Sequence, residues 1–481
     1  CGFVGLAWLL EASYLAYLSL HALQHRGEEA AGIVSSDGEA SFRAVAQGLV
    51  DEGFGPETLA KLRGDFAIGH ARYSTAGGSI ERNCQPLMAY NTPLGEIALA
   101  HNGNIPGFEA LRSVLQRQGA LFYTESDTEI LLVAIVRELQ RLGDKKLMNA
   151  ELFAEVLKKT LTPIEGTYSL VILSRQFLAL VRDPWGVRPL ALGRLGDAIV
   201  GASETSAFDL IGAGMTEEVK PGEIVVVERG SLGLTRAKIE PRQTKGQAPA
   251  GAIPCIFELV YFARPNSSVL GRDVYQAREA MGRRLAEEAP AQADCVIAVP
   301  DSASVQALGY AQRLGLPYEL GLVRSHYIGR TFIAPTQTVR DFAAKLKYSP
   351  VRSLLAGKRV VVVDDSVVRG TTSKKIIRLI REQGGAREVH LRVASPPVAW
   401  PCFYGIDMPT KKELVASGRS VEEIRDFLGV ETLNYLSLDG MLGACSGVKE
   451  NFCHACFSGE YRIAKDVIRA VISKEEKKAT V

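Results

Sequence analysis

A chain of 481 residues with 47% hydrophobic and 23% charged side chains has the composition of a soluble globular protein of two or three domains. Its 56 basic and 54 acidic residues leave a net charge of +2, which excludes a broad nucleic-acid footprint and makes any anion site local. No apolar run approaches the ~18 residues of a membrane span, and eight cysteines are too few for a disulfide scaffold.

The chain begins "CGFVGL". A cysteine at a free N-terminus carries its own base, because an α-amine titrates at roughly 7.7–8.0 and sits beside the thiol. Cys1 is therefore expected to be a processed catalytic terminus. "LLEASYLAYLSLHALQHRG" reads as a helix stopped by Gly27. "FAIGHARYS", "GEIALAHNGNI", "GTYSLVILS", "FLALVRD", "AIVGASE" and "EIVVVE" read as strands. "SDTEILLVAIVRELQRLG" reads as a helix with Ser126 as N-cap, Glu129 completing a capping box and Gly143 ending it.

Chemistry-bearing residues are scattered among these elements. Asn102 and the backbone N–H of Gly103 can donate to a tetrahedral oxyanion. Arg72 can pair a carboxylate at two points, and Asp127 can balance an ammonium. Together with a thiol they suit an α-amino acid bearing a side-chain amide.

Residues 241–254, "PRQTKGQAPAGAIP", lack an apolar period and read as a linker. This sets the expected limits: a first domain over 1–240, a second over 255–460, and a C-terminal helix and tail over 461–481. Beyond the linker, strand–loop–helix units predict a parallel sheet covered by helices. In "VVVVDDSVVRGTTS" (360–373) four valines form a buried strand. Asp364 and Asp365 stand at its carboxyl end, and a small-residue loop leads into a helix expected to begin near Lys374. Phosphate donors and diol acceptors one loop apart suit a ribose 5-phosphate.

This run resembles the phosphoribosyl pyrophosphate signature of type I phosphoribosyltransferases. The resemblance implies that Asp364 and Asp365 bind the ribose hydroxyls and Mg²⁺. It places Ser366, Arg369, Gly370, Thr371, Thr372 and Ser373 around the 5-phosphate. "VPDSAS" then resembles the pyrophosphate loop, with Ser302 close to the metal. Residues 327–350 resemble the lid, whose Arg330, Arg340, Lys345 and Lys347 screen the pyrophosphate.

The ordered set "CGFVG", "LQHRGEEAAGI", "GHARYSTAG", "HNGNI" and "SDTE" resembles the glutaminase domain of N-terminal-nucleophile amidotransferases. Departures are "LAWLLEAS" after the first glycines, "RGEE" and "DPWGVRPL". The resemblance implies Cys1 as nucleophile, Asn102 and Gly103 as oxyanion hole, and Arg72, Thr75 and Asp127 as glutamine ligands. The implied fold is an N-terminal Ntn-hydrolase αββα sandwich followed by a type I phosphoribosyltransferase α/β sheet. The implied activity transfers glutamine-derived ammonia to phosphoribosyl pyrophosphate, the first committed step of purine synthesis. Tyr261 and Arg264, near the linker, are expected to couple the two sites.

"CHAC" (453–456) is a C-x-x-C pair suited to zinc or an iron–sulfur cluster. By spacing alone, Cys84, Cys255, Cys295, Cys402 and Cys445 all remain open as further ligands, although Cys295 reads as core. The family resemblance selects Cys255, Cys402, Cys453 and Cys456 as ligands of a structural 4Fe-4S cluster, with zinc as the rival. It also implies a homo-oligomer, dimer or tetramer, with purine-nucleotide feedback inhibition. The expected location is the cytoplasm, or a plastid in a plant.

Overall fold

The computed structural model describes residues 1–73, 80–143, 148–231, 233–241, 251–325, 348–408, 410–446 and 451–478, with side chains to 473 in the last segment. Thr75, most of the linker and nearly all of the lid, with its four basic residues, lie outside the described residues.

Two antiparallel sheets face each other in the first domain. One has seven strands, with Gly2–Ala7 between Ala198–Ala202 and Phe66–Arg72. The other has six, with Gly95–Asn104 paired to Thr167–Ser174. Alternating apolar residues explain the sandwich. Phe3, Ile68, Ala98, Val171, Leu180 and Val225 form the core between the sheets. The outer face of the seven-stranded sheet is covered by helix Ala12–Ala22. Helices Asp127–Arg141 and Ala150–Leu161 cover the other sheet. This is the αββα order expected.

Three local expectations are corrected. The first helix ends at Ala22, not Gly27. A turn follows, and Gly27 is extended (φ −171°). A Cβ on Gly27 would lie 2.5 Å from the Arg72 carbonyl carbon, so it serves a close approach rather than a cap. Ser126 does cap helix Asp127–Arg141, accepting from the Thr128 amide at 3.2 Å. Glu129, however, accepts from the Tyr123 and Thr124 amides at 2.8 Å and so fastens the preceding loop instead of closing the box.

The second domain holds four parallel strands in the order Cys295–Ala298, Arg359–Asp364, Glu388–Val393, Thr432–Tyr435. Val360 to Val363 are fully buried because helices pack on both faces. Helix Thr371–Glu382 lies on one face. Helices Val274–Glu288 and Ser304–Leu314 lie on the other. Trp185 and Val187 of the first domain join this latter core, which makes the two domains continuous.

Candidate active sites and the cavity between them

The Cys1 thiol donates to the Tyr73 carbonyl at 3.2 Å, with the Tyr73 amide 3.5 Å from the sulfur. Tyr73 follows Arg72, the last residue of the neighbouring strand. Sequence motifs did not flag it, since the contact depends on strand pairing. Burial pushes the α-amine of Cys1 well below the ordinary value, and the Arg188 and Arg26 guanidiniums add to the effect. Behind it, a Cβ on Gly2 would come within 2.9 Å of the Arg26 side chain, so only glycine lets that arginine lie so close.

His70, opposite Phe3 in the sheet, reaches across to the His101 carbonyl at 3.2 Å. This sets the strand carrying Asn102 and Gly103 across the sandwich from the N-terminal strand. Asn102 is fully buried, and neither polar atom of its side chain has a hydrogen-bond partner among the described residues. Such a group costs about 1–3 kcal/mol until something fills its valence. Gly103 is required by space: a Cβ there would sit 2.0 Å from the Thr167 carbonyl oxygen.

Arg72 is buried, which depresses its pKa, while Cys84, Glu29 and Asp127 act in the opposite sense. Asp127 begins its helix and accepts the Ile105 amide at 3.1 Å, which ties it to the end of the Asn102 strand. Burial opposes its charge. His101 and the Ile105 and Thr128 amides outweigh burial and hold the carboxyl below its ordinary value. Asp127 lies within electrostatic reach of Arg72.

An ionic network links this pocket to the second domain; of its members only Arg264, through its backbone amide, was singled out in the sequence. Glu204, fully buried, accepts from Arg26 Nε, from His25 Nε2 at 2.7 Å and from Ser267 Oγ at 2.6 Å. It also accepts the Arg264 amide at 2.9 Å. Burial would raise its pKa; Arg26 and His25 override this and drive it far below the carboxylate range. Glu258 accepts from Arg26 Nη2 at 2.5 Å and lies 2.7 Å from Arg188 Nη2.

In the second domain, Asp364 ends its strand and Asp365 follows. Both are buried, and both pKa values are raised, chiefly by burial, with mutual repulsion adding to that of Asp364. Ser302, Ser366 and Arg278 oppose the rise at Asp365. Ser373 donates to Asp364 at 3.3 Å, and Ser366 to Asp365 at 2.6 Å. The helix begins at Thr371, three residues earlier than expected. Gly370, at φ +74°, makes the turn and places the Thr-Thr-Ser run in the first helical turn, where N–H groups lack intrahelical partners. Arg369 is exposed and pairs with Glu413 at 3.2 Å.

Cys255, Cys402, Cys453 and Cys456 come together. Cys255 and Cys453 bridge as parallel strands, and the Tyr404 amide donates to Cys402 sulfur at 3.3 Å. Burial raises all four thiols, Cys255 to about 12, and the other three add to the rise at Cys456. Cys295 lies in the sheet core, and the charged neighbour of Cys445 is Arg272. Among the described residues no three His, Cys, Asp or Glu side chains are set to share one metal ion.

One cavity of about 470 Å³ joins the two sites. Its wall includes Cys1 and Tyr73 from the first domain and Ser302, Asp364, Asp365 and residues 369–373 from the second. Phe257, Tyr261 and Phe262 line it between. A larger hollow of about 980 Å³, beside strand Leu87–Thr92, borders none of the expected catalytic residues.

Comparison with known proteins agrees with this division. A glutamine amidotransferase domain model matches residues 70–209, and a phosphoribosyl transferase domain model matches 273–395. Amidophosphoribosyltransferase 1, chloroplastic, of Arabidopsis thaliana is 48% identical over 96% of this chain and 78% of that protein. The chain belongs to the amidophosphoribosyltransferase family. The amidophosphoribosyltransferase of Bacillus subtilis is 43% identical over 96% of this chain and 94% of its own. The solved Bacillus subtilis enzyme complexed with ADP and GMP superimposes with a TM-score of 0.86 at 42% identity, covering 96% of this chain and 97% of that one. A second amidophosphoribosyltransferase-like structure, described as the allosteric regulatory enzyme of purine biosynthesis, gives 0.87 at 42% identity and covers 96% of each chain.

Proposed function

We infer that the chain makes 5-phosphoribosylamine from glutamine and phosphoribosyl pyrophosphate, the entry reaction of purine synthesis. The observation that carries this reading is the single cavity walled by both Cys1 and the Asp364–Ser373 loop. Cys1 sulfur attacks the side-chain amide carbon of glutamine, and its proton passes to the depressed α-amine. Asn102 and Gly103 N–H groups hold the oxyanion, which accounts for a buried amide kept without a partner. Arg72 takes the substrate carboxylate, and Asp127 its ammonium, with Thr75 as a further ligand. Ammonia leaves, water hydrolyses the thioester to glutamate, and ammonia crosses the cavity to displace pyrophosphate from C1.

Asp364 and Asp365 bind the ribose hydroxyls. Ser366, Arg369, Gly370, Thr371, Thr372 and Ser373 hold the 5-phosphate. Two buried carboxylates with raised pKa values and the Ser302 hydroxyl form a hard oxygen set suited to Mg²⁺, which when bound neutralises the departing pyrophosphate. The four neighbouring thiols, Cys255 and Cys456 buried and Cys402 and Cys453 half-buried, fit a 4Fe-4S cluster, which when bound fastens the C-terminal segment to the domain junction. Purine nucleotides act as feedback ligands, on the analogy of the relative solved with ADP and GMP. The working form is a homo-oligomer in the cytoplasm or a plastid; no described helix is long and apolar enough to cross a membrane.

Cys1→Ala tests the division of labour. It is expected to abolish glutamine-dependent synthesis and spare synthesis from ammonium; loss of both refutes it. Brown protein with iron and sulfide after anaerobic purification supports the cluster, and colourless protein carrying zinc refutes it.

A further inference from the structure

Glu258–Phe262 is a single π-helical turn between the two sites. Such turns concentrate at functional positions. On one side it is held by buried groups of the second domain. Arg278 donates to the Leu259 carbonyl at 2.9 Å and to that of Ala263 at 2.7 Å, and Gln306 donates to that of Val260 at 3.1 Å. Arg278 is also the guanidinium whose charge bears on Asp365. On the other side, Glu258 grips Arg26 at 2.5 and 3.3 Å and faces Arg188 at 2.7 Å. Phe262 covers both guanidiniums, 4.8 and 5.3 Å from its ring centre. Arg26 in turn packs against Gly2, directly behind Cys1.

We propose that Glu258 is a positioning residue for the glutamine half-reaction: it places Cys1 through Arg26 according to how the π-helical turn is seated on the phosphoribosyl site. The inference rests on the reading of Cys1 as nucleophile. Stability alone does not account for the arrangement, because buried ion pairs rarely outperform apolar packing. Glu204 already neutralises Arg26 from within the first domain. Glu258 adds the second-domain half of the grip. The Arg188 nitrogens, although one is close to Glu258, form no well-aligned hydrogen bond among the described residues, so the network has a tighter arrangement available.

The test uses the full chain with Glu258→Gln and Glu258→Asp. Glutamine hydrolysis is measured with and without phosphoribosyl pyrophosphate, alongside synthesis from ammonium. Glu258→Gln is expected to lower the glutaminase kcat about tenfold, with KM for glutamine within about twofold. The response of hydrolysis to phosphoribosyl pyrophosphate is expected to vanish, while ammonium-dependent synthesis stays within about twofold. Glu258→Asp restores part of both losses. Should Glu258→Gln fail to fold, Arg188→Met carries the same expectation. An unchanged kcat, a wild-type rate indifferent to phosphoribosyl pyrophosphate, or equal loss of ammonium-dependent synthesis in the folded variants overturns the proposal. A wild-type chain unable to hydrolyse glutamine refutes the Cys1 reading instead.

Discussion

Gly405 of the second domain lies flat against Gly103 of the first. A Cβ on Gly405 would come within 2.8 Å of the Gly103 α-carbon and carbonyl carbon. Two hydrogen bonds clamp the approach: Asn104 donates to the Phe403 carbonyl at 3.0 Å, and Thr167 to that of Tyr404 at 3.1 Å. The same short segment carries Cys402 at its start and lines the shared cavity with Ile406, Asp407 and Met408. Gly405→Ala meets both this backbone contact and a φ of +98°. It is expected to cost about 1–3 kcal/mol in denaturant unfolding. It should lower glutamine hydrolysis more than ammonium-dependent synthesis, which steady-state assays of both reactions check.

On the proposed mechanism, Asn102→Ala removes an oxyanion donor from a side chain that makes no other hydrogen bond among the described residues. The glutaminase kcat should fall by roughly 10²–10³, the range for losing one oxyanion donor, with little change in KM. An equal rise in KM would mean that Asn102 binds ground-state glutamine instead.

The α-amine of Cys1 predicts the pH profile. Burial, Arg188 and Arg26 all disfavour its protonated form and hold its pKa well below the ordinary value. An amine of ordinary pKa would make kcat/KM for glutamine climb through about pH 8. Here the curve should be flat there and drop only in acid, as the amine takes up a proton. A midpoint near pH 8 would contradict the enclosed base.

Asp364 and Asp365 make the opposite prediction for stability. A carboxyl whose folded-state pKa lies above its unfolded value holds its proton more tightly when folded. Its contribution is therefore favourable in acid and is lost as pH rises through the raised pKa. With both carboxyls raised, Asp364→Asn should raise the melting temperature of the magnesium-free protein at pH 8, with the gain shrinking toward pH 5. The double variant Asp364→Asn, Asp365→Asn should make no product from either nitrogen source. Added Mg²⁺ should stabilise the wild type and not the double variant.

The chemistry that was legible in the sequence is contiguous chemistry. "VVVVDDSVVRGTTS" states a buried strand, its acidic end and a phosphate turn within one short run, so fold and site are read together. "HNGNI" and "SDTE" could be placed because each sits at the end of an element with clear periodicity. Apart from Arg264, the ionic network was not legible. Arg26 meets Glu204 from 178 positions away and Glu258 from 232, and an isolated charge in an apolar stretch looks like a surface residue until the chain closes over it. Gly27 was misread for a related reason. A glycine after a helix suggests a cap, whereas this one yields room to the Ala71 and Arg72 backbone of a distant strand. Gly405 gave no signal at all, because its partner Gly103 belongs to the other domain.

The walls of the shared cavity also bear on the form in which nitrogen travels. Ammonia in water at neutral pH is mostly ammonium, which has no lone pair for C1. The lining includes Phe257, Phe262, Val299, Ile376 and Met408, which offer no proton, beside His25, Tyr261 and Asp407, which can exchange one. Ammonia released from glutamine enters this passage neutral and is expected to react before it equilibrates with bulk water. Acidifying the medium therefore starves synthesis from ammonium salts well before it starves synthesis from glutamine, and the ratio of the two rates measures how dry the passage is.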